Sequence, residues 1–115
     1  MKTIIRKNIR DGWEALTDHE LGQTPAGMRL LRIHTSKVYG GDLTTSATVF
    51  HRRENSMVHA FGTAASGDYR KQLERSKVRC TDKAVTAQHE RWSEILPKLI
   101  EEATAFYLNK ERVAA

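Results

Sequence analysis

Histidine and cysteine are the side chains in this sequence best suited to acid–base, nucleophilic or metal-binding chemistry. There are five histidines and one cysteine, namely His19, His34, His51, His59, His89 and Cys80. His51 and His59 flank a predicted tight turn, and a three-residue loop there would place them opposite each other on neighbouring strands. A zinc site needs three or four ligands in a compact set. No spacing demands a third ligand here, so we predict no metal and no other cofactor.

Two histidines have carboxylates next to them in the sequence and are therefore candidate general bases. These are the runs Asp18-His19-Glu20 and His89-Glu90. Adjacent residues on a helix or strand point in different directions, so adjacency is poor evidence for a catalytic pair. A small enzyme that uses histidine and carboxylates is therefore the lesser alternative, and no catalytic residue is assigned.

The cysteine and the glycines add no catalytic signal. A nucleophilic Cys80 would need an activating base, and nothing in the sequence indicates one, so we interpret Cys80 as a half-buried structural residue. A lone cysteine forms no internal disulfide. The run Gly40-Gly41-Asp42 lacks the spacing of a phosphate-binding loop and is typical of a turn.

Basic residues give the strongest functional signal in the chain. Residues 1–81 hold 14 Lys and Arg against 8 Asp and Glu, whereas residues 82–115 hold 5 against 6. Ten basic residues fall in the predicted sheet region: Arg29, Arg32, Lys37, Arg52, Arg53, Arg70, Lys71, Arg75, Lys77 and Arg79. Such a surface is suited to a phosphate backbone or to an acidic protein surface. The competing interpretation is a solvated face that confers solubility.

The N-terminal part, residues 1–27, predicts a strand followed by a loop. Residues 2–9 alternate loosely and contain β-branched side chains, which favours a strand. Capping-box spacings near Trp13 and Thr17 allow a helical turn or two over 13–21. Pro25 lies in a stretch typical of a loop.

The region 28–79 predicts an antiparallel sheet. Residues 28–39, 43–53 and 57–63 are rich in β-branched and aromatic side chains and are separated by turn signals. Residues 69–79 are mostly good helix formers. We nevertheless predict a strand there, because long basic side chains suit a sheet edge and another hairpin would extend the meander.

Residues 81–110 predict a long amphipathic helix, capped by Thr81 or Asp82. Apolar side chains recur at spacings of three and four, which is the pattern of a helix with one buried face. Pro97 interrupts this helix. We expect either a kink near Ser93 or two helices that meet there, followed by a frayed tail at 111–115.

The 115 residues fit one α+β domain: a meander of four to five antiparallel strands with a long C-terminal helix, interrupted at Pro97, packed on one face. No apolar run is long enough to span a bilayer, and no signal peptide is visible, so we expect a cytoplasmic protein without membrane contact. Its short, basic, motif-free character resembles accessory proteins that phages and prophages encode, which implies binding to another protein.

The expected function is non-enzymatic binding, with nucleic acid as the leading partner. The alternative is a protein that binds and modulates another protein. A homodimer formed through the C-terminal helix is a further possible contact of this binding type.

Overall fold

A five-stranded antiparallel sheet forms the first part of the fold. The computed structural model describes residues 2–8, 12–25, 27–37, 41–52 and 69–114. The strands are β1 (Lys2–Asn8), β2 (Gly12–Thr24), β3 (Gly27–Lys37), β4 (Leu43–Arg52) and β5 (Arg70–Ser76). Their order in the sheet is β1-β2-β3-β4-β5. Each strand pairs with its neighbour in sequence, which confirms the predicted α+β fold with a meander sheet.

The stretch in which helical turns were predicted is instead the 13-residue strand β2. The helix prediction for 13–21 is therefore wrong. β2 lies between β1 and β3 and pairs with both, so the sheet satisfies its backbone hydrogen bonds on two sides and overrides local helix signals. The predicted loop at 22–27 is reduced to a short turn around Pro25, because β2 continues to Thr24 and β3 starts at Gly27.

The ambiguous segment 69–79 contains a strand, as predicted. β5 pairs antiparallel with β4, with Leu43 opposite Ser76 and Thr48 opposite Arg70. A register shift between Thr45 and Ser46 interrupts this pairing. β5 is the last strand in the sheet order. The strand predicted at 57–63 lies outside the described residues.

The predicted interruption near Pro97 divides the C-terminal segment into two helices. They are α1 (Asp82–Ser93) and α2 (Leu96–Ala114). The Thr81 hydroxyl accepts a hydrogen bond from the backbone N–H of Ala84 and caps α1. Pro97 lies in the first turn of α2, where a backbone N–H has no intrahelical acceptor, so the missing donor costs little.

The junction between the helices differs from the prediction in two details. Ser93 does not cap α2; its hydroxyl donates to the carbonyl of His89, 3.1 Å away, at the end of α1. The carbonyl of Ile95 instead accepts the first hydrogen bonds of α2, from the backbone N–H groups of Lys98 and Leu99. The second helix also continues to Ala114, beyond the predicted end at Lys110.

Both helices pack on one face of the sheet. The larger apolar cluster joins β3 and β4 to α2 and consists of Leu31, Ile33, Ala47, Val49, Leu96, Leu99, Ala103 and Tyr107. A smaller cluster of Ala15, Leu43 and Val85 joins the sheet to α1. Burial of these side chains supplies most of the free energy that holds the helices on the sheet.

A chain of hydrogen-bonded polar side chains joins all five strands to α1. Each strand contributes one hydroxyl and α1 contributes two adjacent side chains: Thr3, Thr17, Thr35, Thr45 and Ser76, with Gln88 and His89. We call this set the threonine–histidine chain. Gln88 and His89 are each 1% exposed. Their polar atoms therefore depend on these protein partners, because a buried group without a partner is costly.

His89 lies at the centre of the threonine–histidine chain. Its Nε2 is 2.7 Å from the hydroxyl oxygen of Thr17, and its Nδ1 is 2.8 Å from that of Thr35. Thr35 is in turn 2.7 Å from Thr45, directly opposite it on β4. One imidazole thus bridges β2 and β3 directly, and through Thr3 and Thr45 it is linked to β1 and β4.

Gln88 donates two hydrogen bonds to β4. Its Nε2 donates to the backbone carbonyl of Leu43 at 3.3 Å and to the hydroxyl of Thr45 at 3.0 Å. A neutral imidazole has one nitrogen that donates and one that accepts, and a threonine hydroxyl matches either role. Both ring nitrogens of His89 bind hydroxyls and neither binds a carboxylate, so we assign the buried imidazole as neutral.

Burial and the nearby charge of His34 agree with this assignment, and together they lower the pKa of His89 from 6.5 to about 4. Between these two values the unfolded chain binds a proton at His89 and the folded chain does not. The free energy of unfolding therefore rises with pH across that window and is fully retained above it.

We expect the free energy of unfolding to fall by about 3 kcal/mol from this group as the pH drops from 6.5 to 4. His89→Gln removes the titrating group and should flatten that part of the profile. Urea unfolding at several pH values for both proteins measures the difference. An identical pH dependence in the two proteins would contradict a neutral, buried His89.

Gly12 has a positive φ of 93° at the start of β2. A Cβ there would lie 3.1 Å from the backbone oxygen of Cys80 and 3.3 Å from its sulfur. Gly22 also has a positive φ, of 138°, but a Cβ there would meet nothing within 4 Å. A side chain at Gly22 would therefore experience backbone strain alone, whereas one at Gly12 would experience backbone strain and a close contact with Cys80.

We expect Gly12→Ala to lower the free energy of unfolding by about 1 kcal/mol more than Gly22→Ala, because only Gly12 adds crowding to the backbone strain. Denaturant midpoints of the two variants and the parent measure this difference. Equal losses at both positions would show that the contact with Cys80 has no energetic effect.

Candidate nucleic-acid interface

Five exposed basic residues follow one another along β5 and the segment after it. They are Arg70, Lys71, Arg75, Lys77 and Arg79, and we call them the basic ridge. Among the described strands, β5 lies at the edge of the sheet and rises about 3.3 Å per residue, so its seven residues alone span roughly 20 Å. Pairing with β4 spaces the cations along this edge and distributes them over both faces of the sheet. Lys71, opposite Ala47, lies on the face that carries the helices, whereas Arg70 and Arg75, opposite Thr48 and Thr44, lie on the other face.

Two members of the basic ridge form exposed ion pairs. Nζ of Lys71 is 3.3 Å from a carboxylate oxygen of Glu102 on α2. Nε of Arg75 is 2.8 Å from a carboxylate oxygen of Asp42, just before β4. The Lys71 and Arg75 side chains remain 51% and 57% exposed. Exposed pairs of this kind contribute little stability and exchange partners readily.

Glu74 is the acidic residue within the basic ridge, and α1 compensates its charge. One carboxylate oxygen accepts a hydrogen bond from Arg91 at 2.7 Å, and the other accepts one from the indole N–H of Trp92 at 2.9 Å. The hydrogen bond from Arg91 lowers the pKa of Glu74 against the opposing effect of burial. Glu74 is therefore ionised and paired with side chains of α1, so its charge does not compensate the cations of the basic ridge.

The remaining members of the ridge are Arg70, Lys77 and Arg79. Within the part of the chain that the structure describes, none of their side chains makes a hydrogen bond or an ion pair. Their charges are thus available to an anionic partner without the rupture of an existing contact.

Two residues that the sequence assigned to the binding surface lie elsewhere. Arg29 donates to Nε2 of His51 at 3.1 Å, and its guanidinium lies 4.0 Å from the centre of the Tyr107 ring. Arg32 is 1% exposed and forms two hydrogen bonds with Asp18, of 2.8 and 2.9 Å. Both guanidiniums are engaged within the fold, and the structure does not bring them to the basic ridge.

The other three predicted positions lie at strand ends or outside the description. Lys37 is exposed at the end of β3. It is opposite Leu43, which is opposite Ser76, so about 10 Å of sheet separates it from the end of β5. Arg52 ends β4, and its side chain is not described. Arg53 lies outside the described residues.

A groove of about 200 Å³ lies between the basic ridge and the junction of the two helices. It is lined by Lys71, Gln72, Leu73, Trp92, Ile95, Lys98, Leu99 and Glu102. Trp92 and Leu73 also pack against the larger apolar cluster. Ile95 lies between α1 and α2 and is 36% exposed.

Sequence reasoning missed this groove. The spacing of Trp92, Ile95 and Leu99 fits one continuous helix and assigns all three to the core. The break at Glu94 and Ile95 separates that apolar stripe into two and leaves part of it facing β5. Pro97 was the signal for the break, but pairing between β4 and β5 was needed to place a strand beside it.

The predicted histidine–carboxylate neighbours do not form pairs in the structure. Asp18 binds Arg32, and both ring nitrogens of His89 bind threonine hydroxyls. A different pair forms on the sheet face opposite the helices, where Nε2 of His34 is 3.0 Å from a carboxylate oxygen of Glu14. Among the described residues, no group of three or more potential ligands is arranged for a metal ion.

Cys80 is half-buried, and its thiol donates to the backbone carbonyl of Trp13 at 3.2 Å. It packs with Trp13 and Ala84 at the margin of the smaller apolar cluster. This contact agrees with the structural role expected for Cys80.

Comparison of the chain with protein-family models, curated proteins and solved structures found no match. Within the described residues, neither helix has a segment that is long and apolar enough to cross a membrane.

Proposed function

We propose that this protein binds nucleic acid through the basic ridge on β5 and the segment that follows it. The observation that supports the proposal is the set of five exposed cations spaced along one sheet edge and the segment after it, three of which have no partner among the described residues. Each phosphate that such a cation contacts releases a condensed counterion, which makes binding favourable at low salt. We further propose that this role is non-enzymatic and cytoplasmic.

The charge of β5 favours nucleic acid over a protein strand added to the sheet edge. Long charged side chains on an edge strand oppose pairing with another strand. The same side chains favour a polyanion, which does not need the backbone groups of β5. Arg29 and Arg32 are already engaged by Tyr107 and Asp18. The proposed contact with nucleic acid is therefore limited to the β5 edge and does not extend over the whole sheet.

Neutralising the uncompensated cations should weaken binding and reduce its salt dependence. We expect the triple variant Arg70→Gln, Lys77→Gln, Arg79→Gln to lower the magnitude of the slope of log K against log salt by about 2 to 3, because each lost phosphate contact removes about one unit. Fluorescence anisotropy with labelled single- and double-stranded DNA and RNA, from low to moderate salt, measures this slope.

The matched control compares Lys77→Gln with Lys83→Gln, each of which removes one exposed positive charge. Lys83 lines a separate shallow depression on α1 together with Asp82 and Glu90. Only Lys77→Gln should weaken binding. Equal effects of the two substitutions would point to net charge alone, and the absence of binding by the parent to all four nucleic acids would overturn the proposal.

A second candidate contact is a homodimer through α2. Two apolar side chains of this helix, Phe106 and Leu108, are 38% and 59% exposed. Single exposed apolar residues are common, and Phe106 and Leu108, two positions apart, lie on different faces of the helix. Phe106 also contacts the Tyr69 ring, so we propose a contact between two copies of α2 that is centred on Leu108.

We expect sedimentation equilibrium to show twice the mass of one chain at high concentration and Leu108→Lys to return the protein to a monomer, because a lysine would bury its charge in the contact. Leu108→Met retains an apolar side chain and should leave the dimer intact. A parent protein that is monomeric over the whole concentration range would contradict this contact.

A further inference from the structure

The groove beside the basic ridge combines an aromatic wall with cationic edges. Trp92, Leu73 and Ile95 provide apolar surface, and Lys71 and Lys98 lie among the lining residues. Trp92 lies in the last turn of α1, and Ile95 lies in the junction between α1 and α2. This arrangement differs from the basic ridge itself, whose five residues include no aromatic ring.

The indole of Trp92 is held in place at the groove. Its N–H donates to Glu74 at 2.9 Å, and the same carboxylate group is bound by Arg91. Part of the ring packs on the larger apolar cluster, and the residue is half-buried. An aromatic ring fixed by a hydrogen bond loses little conformational entropy when a flat ligand stacks on it.

The charges around the groove favour an anionic ligand with hydrogen-bonding edges. Two ammonium groups, of Lys71 and Lys98, line it against one carboxylate, of Glu102. Glu102 accepts hydrogen bonds from Lys71 at 3.3 Å and from the Tyr69 hydroxyl at 3.4 Å. A carboxylate in this position is also an acceptor for an N–H group of a base, such as the N3–H of thymine.

We propose that this groove receives an unstacked base of a single-stranded nucleic acid while the basic ridge contacts the adjoining phosphates. The inference rests on the proposed function and makes it more specific, because it selects single strands over duplexes. Proteins that bind single strands combine a cationic track with aromatic surfaces on which bases stack. In a duplex the bases are already stacked and paired, so a base would have to leave the helix to reach Trp92.

The fluorescence of Trp92 tests whether a base enters the groove. The chain has two tryptophans, so Trp13→Phe leaves Trp92 as the single indole. Titration of that variant with oligo-dT should quench the emission, and the midpoint should match the anisotropy of labelled oligo-dT. Poly-glutamate supplies negative charge without bases, and a duplex of equal length supplies stacked bases. Neither should quench the emission.

Substitution at the groove tests the affinity. Trp92→Leu should weaken oligo-dT binding about tenfold and leave duplex binding and its salt slope unchanged, since stacking of one base accounts for roughly that factor. Trp13→Phe, which alters an indole away from the groove, should bind like the parent. Ile95→Ser, at an exposed position outside both helices, gives a second groove variant whose weaker oligo-dT binding does not depend on a core substitution.

The outcomes separate the groove from the ridge. Binding of oligo-dT with unchanged Trp92 emission, and with unchanged affinity in both groove variants, would overturn the groove proposal and leave the ridge proposal intact. Equal quenching by poly-glutamate would also overturn it, because an acidic chain without bases would then occupy the groove. Failure of the parent protein to bind any nucleic acid would overturn both proposals.

Discussion

The position of α1 on the sheet depends on the threonine–histidine chain. His89 and Gln88 are buried, and their polar atoms find acceptors and donors on β2, β3, β4 and β5. Apolar contacts alone would allow α1 to slide or rotate, because the hydrophobic effect is not directional. Hydrogen bonds to fixed hydroxyls restrict the helix to one register, since any shift would leave buried groups unsatisfied. The orientation of Trp92 at the end of α1 follows from that restriction.

The two helices meet the same sheet with different chemistry. α1 contacts it largely through polar side chains, whereas α2 contributes Leu96, Leu99, Ala103 and Tyr107 to the larger apolar cluster. The break before Pro97 separates these two regions. Ile95 lies at that break and is exposed, and the groove beside β5 lies where the polar and apolar parts of the core meet.

Net positive charge is a poor guide to which cations are available to a partner. Arg32 is nearly inaccessible and paired with Asp18, and Arg29 lies over the ring of Tyr107. The cations of the basic ridge differ because β5 is an edge strand, with few neighbours to supply carboxylates. Glu74, the acidic residue among them, is directed to Arg91 and Trp92 on α1. The uneven distribution of charge thus results from strand position as much as from composition.

Local patterns determined the element types and much of their order. β-branched runs, turn residues and an edge strand rich in long cations indicated the meander. The cap at Thr81 or Asp82 indicated the start of the C-terminal helix, and Pro97 indicated a kink or a division into two helices. Local patterns gave the wrong element at β2: the capping-box spacings indicated helical turns, but this segment is a strand paired with both β1 and β3. Only the tertiary structure decided which hydroxyls bind His89 and which arginines form contacts within the fold. It also decided that Trp92 borders a groove. Those outcomes depend on contacts between residues far apart in sequence, such as Thr17 with His89 and Glu74 with Trp92, and the periodicity of a single segment carries no information about its partner.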